Sequence, residues 1–179
     1  PEKGPVIIAA NHVSNWDPVL VAISVKRPIC FMAKAELFSN KGFAKVLKTA
    51  HAFPVKRGQA DRKALKYALE ILEQGKVLGI FPEGARKKVV PDAKVQSGVA
   101  LIALKSGAPV IPIACKGTDR GFPLGWTKPL VVRVGEPINL EKYEGQKLSS
   151  STLEQVSKEI MNEIFCLAKK IKSTKEEVN

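Results

Sequence analysis

Proton transfer is the chemistry first suggested by this chain, because Asn11-His12-Val13-Ser14-Asn15-Trp16-Asp17 sets an imidazole and a carboxylate with four residues between them. A turn of that length lets the carboxylate reach one ring nitrogen. It would fix the tautomer, favour the imidazolium, and leave the other nitrogen to take a proton from a hydroxyl. A plainer arrangement fits the same residues: Asp17 as N-cap and Pro18 as the first residue of a helix, with His12 a loop residue. His-x4-Asp by itself does not separate the two. Ser14 would offer a covalent route, but no Gly-x-Ser-x-Gly elbow surrounds it.

A second cluster, Phe81-Pro82-Glu83-Gly84-Ala85-Arg86-Lys87-Lys88, follows an apolar run, and strand ends are where α/β proteins place their sites. Glu83 can accept from a hydroxyl, and Arg86 with its neighbouring lysines can hold phosphate oxygens. The same residues would also make a solvated basic loop punctuated by Pro and Gly. Ala85-Arg86 stands where a phosphate-binding loop requires Lys-Ser/Thr, and no Gly-x-Gly-x-x-Gly occurs, so nucleotide-binding motifs are excluded. A third segment, Phe53-Pro54-Val55-Lys56-Arg57-Gly58, puts two cations at the end of another apolar run, either to clamp a phosphate or to face water. A fourth, Val110-Ile111-Pro112-Ile113-Ala114, reads as a buried strand with Pro at a bulge or edge.

The elements that must position these residues alternate. Short apolar runs at 6–10, 29–33, 52–55, 77–81, 110–114 and 130–134 predict strands, and amphipathic stretches at 18–25, 36–49, 60–74 and 97–106 predict helices between them. Leu65, Ala68, Leu69 and Leu72 share one helical face. Gly75 and Gly107 read as helix stops. A last helix is expected to open on a capping box at Ser151-Thr152-Leu153-Glu154, with Leu153, Val156, Ile160, Ile164, Leu167 and Ile171 along its stripe. The fold class is therefore α/β, one domain over 1–179 with a mostly parallel or mixed central sheet flanked by helices on both faces.

Composition narrows the partners. Twenty-nine Lys and Arg against 17 Asp and Glu leave a net charge of +12, which favours anionic partners. An aromatic content of 6% and the lack of a recognition motif argue against nucleic acid. Cys30, Cys115 and Cys166 are too scattered for a metal or disulfide framework, and with His12 and His51 as the only histidines no metal site is expected. No apolar run approaches the roughly 18 residues of a membrane span.

In their order, these segments resemble the glycerolipid acyltransferase family, most closely its 1-acyl-sn-glycerol-3-phosphate (lysophosphatidate) acyltransferases. The first motif is similar to residues 11–17, the second to 53–57, the third to 81–86 and the fourth to 110–112; Lys34-Ala35-Glu36-Leu37 and Val134-Gly135-Glu136-Pro137 extend the likeness. The resemblance implies a glycerol-3-phosphate acyltransferase-like sandwich with His12 as general base and Asp17 as its orienting partner. It implies that Arg57, Glu83 and Arg86 bind the acyl acceptor, with Gly84 allowing close backbone approach and Lys34 and Lys56 as further phosphate contacts. No cofactor is implied: acyl-CoA or acyl carrier protein serves as co-substrate, and lysophosphatidate accepts the acyl group at its sn-2 hydroxyl. Glycerol-3-phosphate, another lysophospholipid, or binding of anionic lipid without catalysis are the alternatives. The expected location is the cytoplasmic face of a membrane, peripheral or anchored by an N-terminal segment outside this chain. Ala85 and Lys87 depart from the family, which usually has small hydroxyl residues there.

Overall fold

The computed structural model describes residues 1–56, 58, 60–84, 95–119 and 129–173. Arg57 and Arg86 lie outside the described residues. Six strands, β1 (Val6–Ala10), β2 (Ile29–Lys34), β3 (Phe53–Val55), β4 (Val77–Ile80), β5 (Val110–Lys116) and β6 (Val131–Val134), form one sheet in the order β3-β2-β4-β1-β5-β6. β1 to β5 pair in parallel, and β6 joins β5 antiparallel.

The all-apolar composition of β1 follows from its central place, with both faces covered. Ile7 and Ala9 enter a large core beneath α3 (Arg62–Glu73), α4 (Gly98–Ser106) and α5 (Ser150–Ser173), while Val6, Ile8 and Ala10 enter a smaller core beneath α1 (Asp17–Ile23). The C-terminal helix docks along its predicted stripe: Val156, Ile160, Ile164, Leu167 and Ile171 are buried, and Leu153 at its start is half-buried against the same core. Each such side chain contributes roughly 1.5–3 kcal/mol.

Four expectations are revised. The stretch 36–49 is a 3₁₀ turn, Ala35–Phe38, and then α2 (Lys41–Thr49), because the Asn40 side chain accepts from Phe43 N–H at 3.1 Å and starts a new helix. Asp17 is not the cap of α1; Trp16 occupies that position and the Asp17 carboxylate turns back into the preceding loop. The final helix is capped two residues earlier than the Ser151 box: Ser149 Oγ accepts from Thr152 N–H at 3.2 Å, and Glu154 pairs with Lys158 instead. Pro112 lies inside a central strand. Its carbonyl accepts from Gly135 N–H just past the end of β6, so its missing N–H falls where the antiparallel ladder has stopped.

Candidate functional site

Five parallel strands share one C-terminal rim, and the residues singled out in the sequence follow it. His12 comes after β1, Lys34 closes β2, Lys56 comes after β3, and Glu83 and Gly84 come after β4. Thr118, which local sequence did not point to, comes after β5.

The centre of the rim is the Asp17 carboxylate, which is fully buried. Its Oδ2 lies 3.0 Å from His12 Nδ1 and accepts from the backbone N–H groups of Val13 at 2.6 Å and Ser14 at 2.7 Å. Its Oδ1 accepts from Thr118 Oγ1 at 2.5 Å. Burial pushes the Asp17 carboxyl up, but the hydrogen bonds from His12, Thr118, Ser14 and Val13 outweigh it and hold the group below its ordinary value. An ionised carboxylate only accepts, so the bond to Nδ1 requires the proton on Nδ1 and leaves Nε2 with its lone pair. An imidazole held this way can take a proton from a hydroxyl.

The backbone of the same loop is tied to distant elements. His12 N–H donates to Glu83 Oε2 at 2.7 Å, and Glu83 is buried. Asn11 makes a two-bond bracket with β5, donating to Cys115 O at 3.0 Å and accepting from Cys115 N–H at 2.7 Å. The ring itself stacks on Phe81 with centroids 4.4 Å apart, and Phe81 stacks on Phe31 at 5.9 Å. Gly79 makes that column possible, since a Cβ there would collide with the Phe31 ring and sit 2.8 Å from Ile29 Cγ2.

Two other groups near the imidazole are poor nucleophiles. Burial, aided by the Asp17 charge, pushes the Cys115 thiol up to about 12. Ser14 Oγ accepts from Trp16 N–H at 3.3 Å, and among the described residues no hydrogen bond joins it to the His12 ring. Nor do three His, Cys, Asp or Glu side chains converge as metal ligands among the described residues.

The remaining predicted residues are placed less centrally. Lys34 pairs with Glu36 at 3.2 Å. Lys56 donates its backbone N–H to Asp61 Oδ2 at 2.9 Å, while Asp61 Oδ1 caps α3 through Ala64 N–H; these bonds, the Lys56 one foremost, lower the Asp61 carboxyl. Asp61 thus ties Lys56 to the start of α3, a role that an Asp directly ahead of the amphipathic helix could have signalled. Gly84 has φ of +66°, and the space over its Cα is filled by the Gln96 side chain. Lys56 and Gly84 line a cleft of about 600 Å³ together with Leu65, Ile80, Val99 and Ile102.

Comparison with known proteins agrees with this arrangement. A family model described as Acyltransferase matches residues 1–116, a stretch that contains every predicted site residue but ends just short of Thr118. A 1-acyl-sn-glycerol-3-phosphate acyltransferase of Bacillus subtilis is 31% identical over 172 residues, covering 92% of this chain and 85% of the relative. One from Streptococcus pneumoniae is 30% identical over 159 residues, covering 88% of this chain and 58% of the relative. The crystal structure of the 1-acyl-sn-glycerophosphate (LPA) acyltransferase PlsC from Thermotoga maritima is similar with a TM-score of 0.64 at 27% identity, over 98% of this chain and 68% of that one. The α/β sandwich expected from the sequence is the fold found.

Proposed function

The chain belongs to the acyltransferase family, and from that premise we propose that it transfers a fatty acyl group from a thioester to the sn-2 hydroxyl of 1-acylglycerol-3-phosphate, giving phosphatidate. The observation that carries the reading is the 3.0 Å approach of Asp17 Oδ2 to His12 Nδ1, which leaves Nε2 to act. The names of the similar proteins support the choice of acceptor.

In this reading His12 Nε2 takes the proton of the acceptor hydroxyl as its oxygen attacks the thioester carbonyl. The new C–O bond forms, the C–S bond breaks, and the thiolate leaves with the proton that His12 carried. Asp17 holds the ring and stabilises the transient imidazolium. Lys34, Lys56, Arg57 and Arg86 hold the acceptor phosphate; Glu83 acts on the reaction by fixing the His12 backbone, and Gly84 shapes the turn beside it. The cleft that Leu65, Ile80, Val99 and Ile102 share with Lys56, Asp61 and Gly84 has the volume for an acyl chain on its apolar side. The 179 residues act as one catalytic domain, peripheral on an anionic membrane surface.

Thiol release, measured with acyl-CoA or acylated carrier protein against lysophosphatidate or glycerol-3-phosphate, identifies donor and acceptor together. Lysophosphatidate is expected to support turnover, and His12→Ala to lower it by about 10²–10⁴-fold with the chain still folded by circular dichroism. Preference for glycerol-3-phosphate would overturn the acceptor; near wild-type rates in His12→Ala would overturn the base. Arg57→Ala and Arg86→Ala are expected to raise the acceptor KM.

A further inference from the structure

β3 is the outermost strand on its side of the sheet, and beside it runs a second cleft, of about 1090 Å³, bordered by β2, the end of α2 and one face of α3. Its lining is apolar in the middle, where Phe53, Ala64 and Ile71 are buried and Cys30 is half-buried. Around these stand Lys48, His51, Lys56, Lys63 and Lys76, and Asp61 is the sole acid among the described residues that line the cleft. Both Asp61 oxygens already accept backbone N–H groups, and among the described residues no acid pairs with any of the four lysines. Unpaired positive charge around an apolar hollow favours an anionic ligand.

Two further features mark this cleft. Tyr67 lines it 49% exposed, with its ring held edge-on by Phe53, centroids 4.8 Å apart and planes at 73°. An aromatic ring fixed in this way is a platform on which a purine can stack. His51 follows the last turn of α2 in the left-handed conformation, φ +56°, where glycine is usual, so the fold keeps an imidazole on the cleft wall at a conformational cost.

The cleft also lies at a definite distance from the imidazole of His12. It shares Lys56, Asp61 and Ala64 with the cleft between α3 and α4. His12 follows β1, and β3 is three strand spacings away, roughly 14 Å. The pantetheine arm of coenzyme A, from sulfur to first phosphate, is as long as a little over four extended residues, about 15 Å. A thioester at His12 can therefore deliver its phosphates here.

We propose that the cleft beside β3 binds the 3′-phosphoadenosine diphosphate end of an acyl-CoA donor, with Lys48, Lys63 and Lys76 on its phosphates and Tyr67 against its adenine. The proposal rests on the acyltransferase reading above and chooses between the donors which that reading leaves open. Coenzyme A carries its charge in two places, a diphosphate and a 3′-phosphate, and the three lysines come from α2, α3 and the turn before β4. A carrier protein would meet the lysines with a folded acidic surface and leave the hollow and its aromatic platform empty.

The test is calorimetric binding of coenzyme A, dephospho-coenzyme A and adenosine 3′,5′-bisphosphate, beside thiol-release kinetics with palmitoyl-CoA and palmitoyl carrier protein. Coenzyme A and the bisphosphate are expected to bind the wild type, and dephospho-coenzyme A to bind more weakly than coenzyme A. Lys63→Ala/Lys76→Ala should weaken coenzyme A at least about tenfold, the size of one lost charge-assisted hydrogen bond, and raise the KM of palmitoyl-CoA in step while leaving the KM of lysophosphatidate unchanged. If that variant fails to fold, Lys48→Glu carries the same expectation. Coenzyme A binding unchanged in both variants overturns the proposal, as does a loss in the variants confined to the carrier-protein donor. Thiol release with those results leaves the acyltransferase reading standing, whereas a wild type that binds coenzyme A in this cleft yet releases no thiol from either donor overturns that reading and with it the donor role of the site.

Discussion

Thr118 donates a 2.5 Å hydrogen bond to Asp17 Oδ1 across 101 residues of sequence, and this bond joins the loop after β5 to the loop after β1. Oδ2 is occupied by His12 Nδ1 and two backbone N–H groups, so Thr118 is what holds the other oxygen. Without it the carboxylate can rotate about its last torsion and carry the imidazole with it.

Thr118→Val keeps the shape and removes the donor. The expected outcome is a loss in kcat of about tenfold with the acceptor KM nearly unchanged, and a destabilisation of roughly 1–2 kcal/mol from the buried acceptor left without its hydroxyl. Thr118→Ser restores the hydroxyl and should recover most of the rate. Steady-state kinetics of the three proteins decides it, and a Thr118→Ser variant as slow as Thr118→Val would show that shape rather than the hydrogen bond matters.

Asp17 gives stability a pH dependence of definite sign. Its folded carboxyl titrates below the ordinary value, so the folded state prefers the ionised form and gains stability that is present above the unfolded pKa. That gain is lost as pH falls through the folded pKa, below the usual carboxylate range near about pH 4. Thermal melts of the wild type and Asp17→Asn should differ most at neutral pH and converge under acid. Parallel curves across that range would mean that the Asp17 charge does not stabilise the fold.

Local sequence carried the parts of this arrangement that local physics sets. Alternating apolar runs and amphipathic stretches gave the strands and helices, because burial of β1 and of the α5 stripe is written in their residue types. The pairing of His12 with Asp17 was legible because a short turn confines both. Thr118 was not, since its meeting with Asp17 depends on β5 lying beside β1, and strand order has no local signature. Asp17 resembled a helix cap for the same reason that it serves the loop: a short carboxylate next to Pro18 can accept from backbone N–H groups on either side. The break at Asn40 was hidden because apolar spacing runs through it, while the capping oxygen that ends one turn and starts the next is a single atom.

The aromatic column behind His12 can be tested at the residue that makes room for it. Gly79→Ala drives a methyl group into the Phe31 ring, and the displacement passes to Phe81 and so to the imidazole. Overpacking of this kind costs roughly 1–3 kcal/mol, and kcat is expected to fall along with the melting temperature. Phe31→Leu in the same chain removes the obstructing ring. The double variant should be more stable than the sum of the two single changes predicts, and additivity in a double-mutant cycle would mean that Gly79 and Phe31 do not act through each other.

Glu83 offers the sharpest separation of positioning from acceptor binding. Its Oε2 accepts from the His12 backbone N–H at 2.7 Å inside the protein, so its first effect is on where the imidazole sits. Glu83→Gln retains an oxygen that can accept this bond, whereas Glu83→Ala leaves a buried N–H without a partner at a cost of roughly 1–3 kcal/mol. If positioning is the role, Glu83→Gln keeps a kcat within about tenfold of wild type, Glu83→Ala loses considerably more, and neither moves the acceptor KM by much. If Glu83 instead contacts the acceptor through its charge, both variants raise that KM alike. Measuring kcat and KM for both substitutions distinguishes the two roles, because only the first predicts that the neutral amide can substitute for the carboxylate.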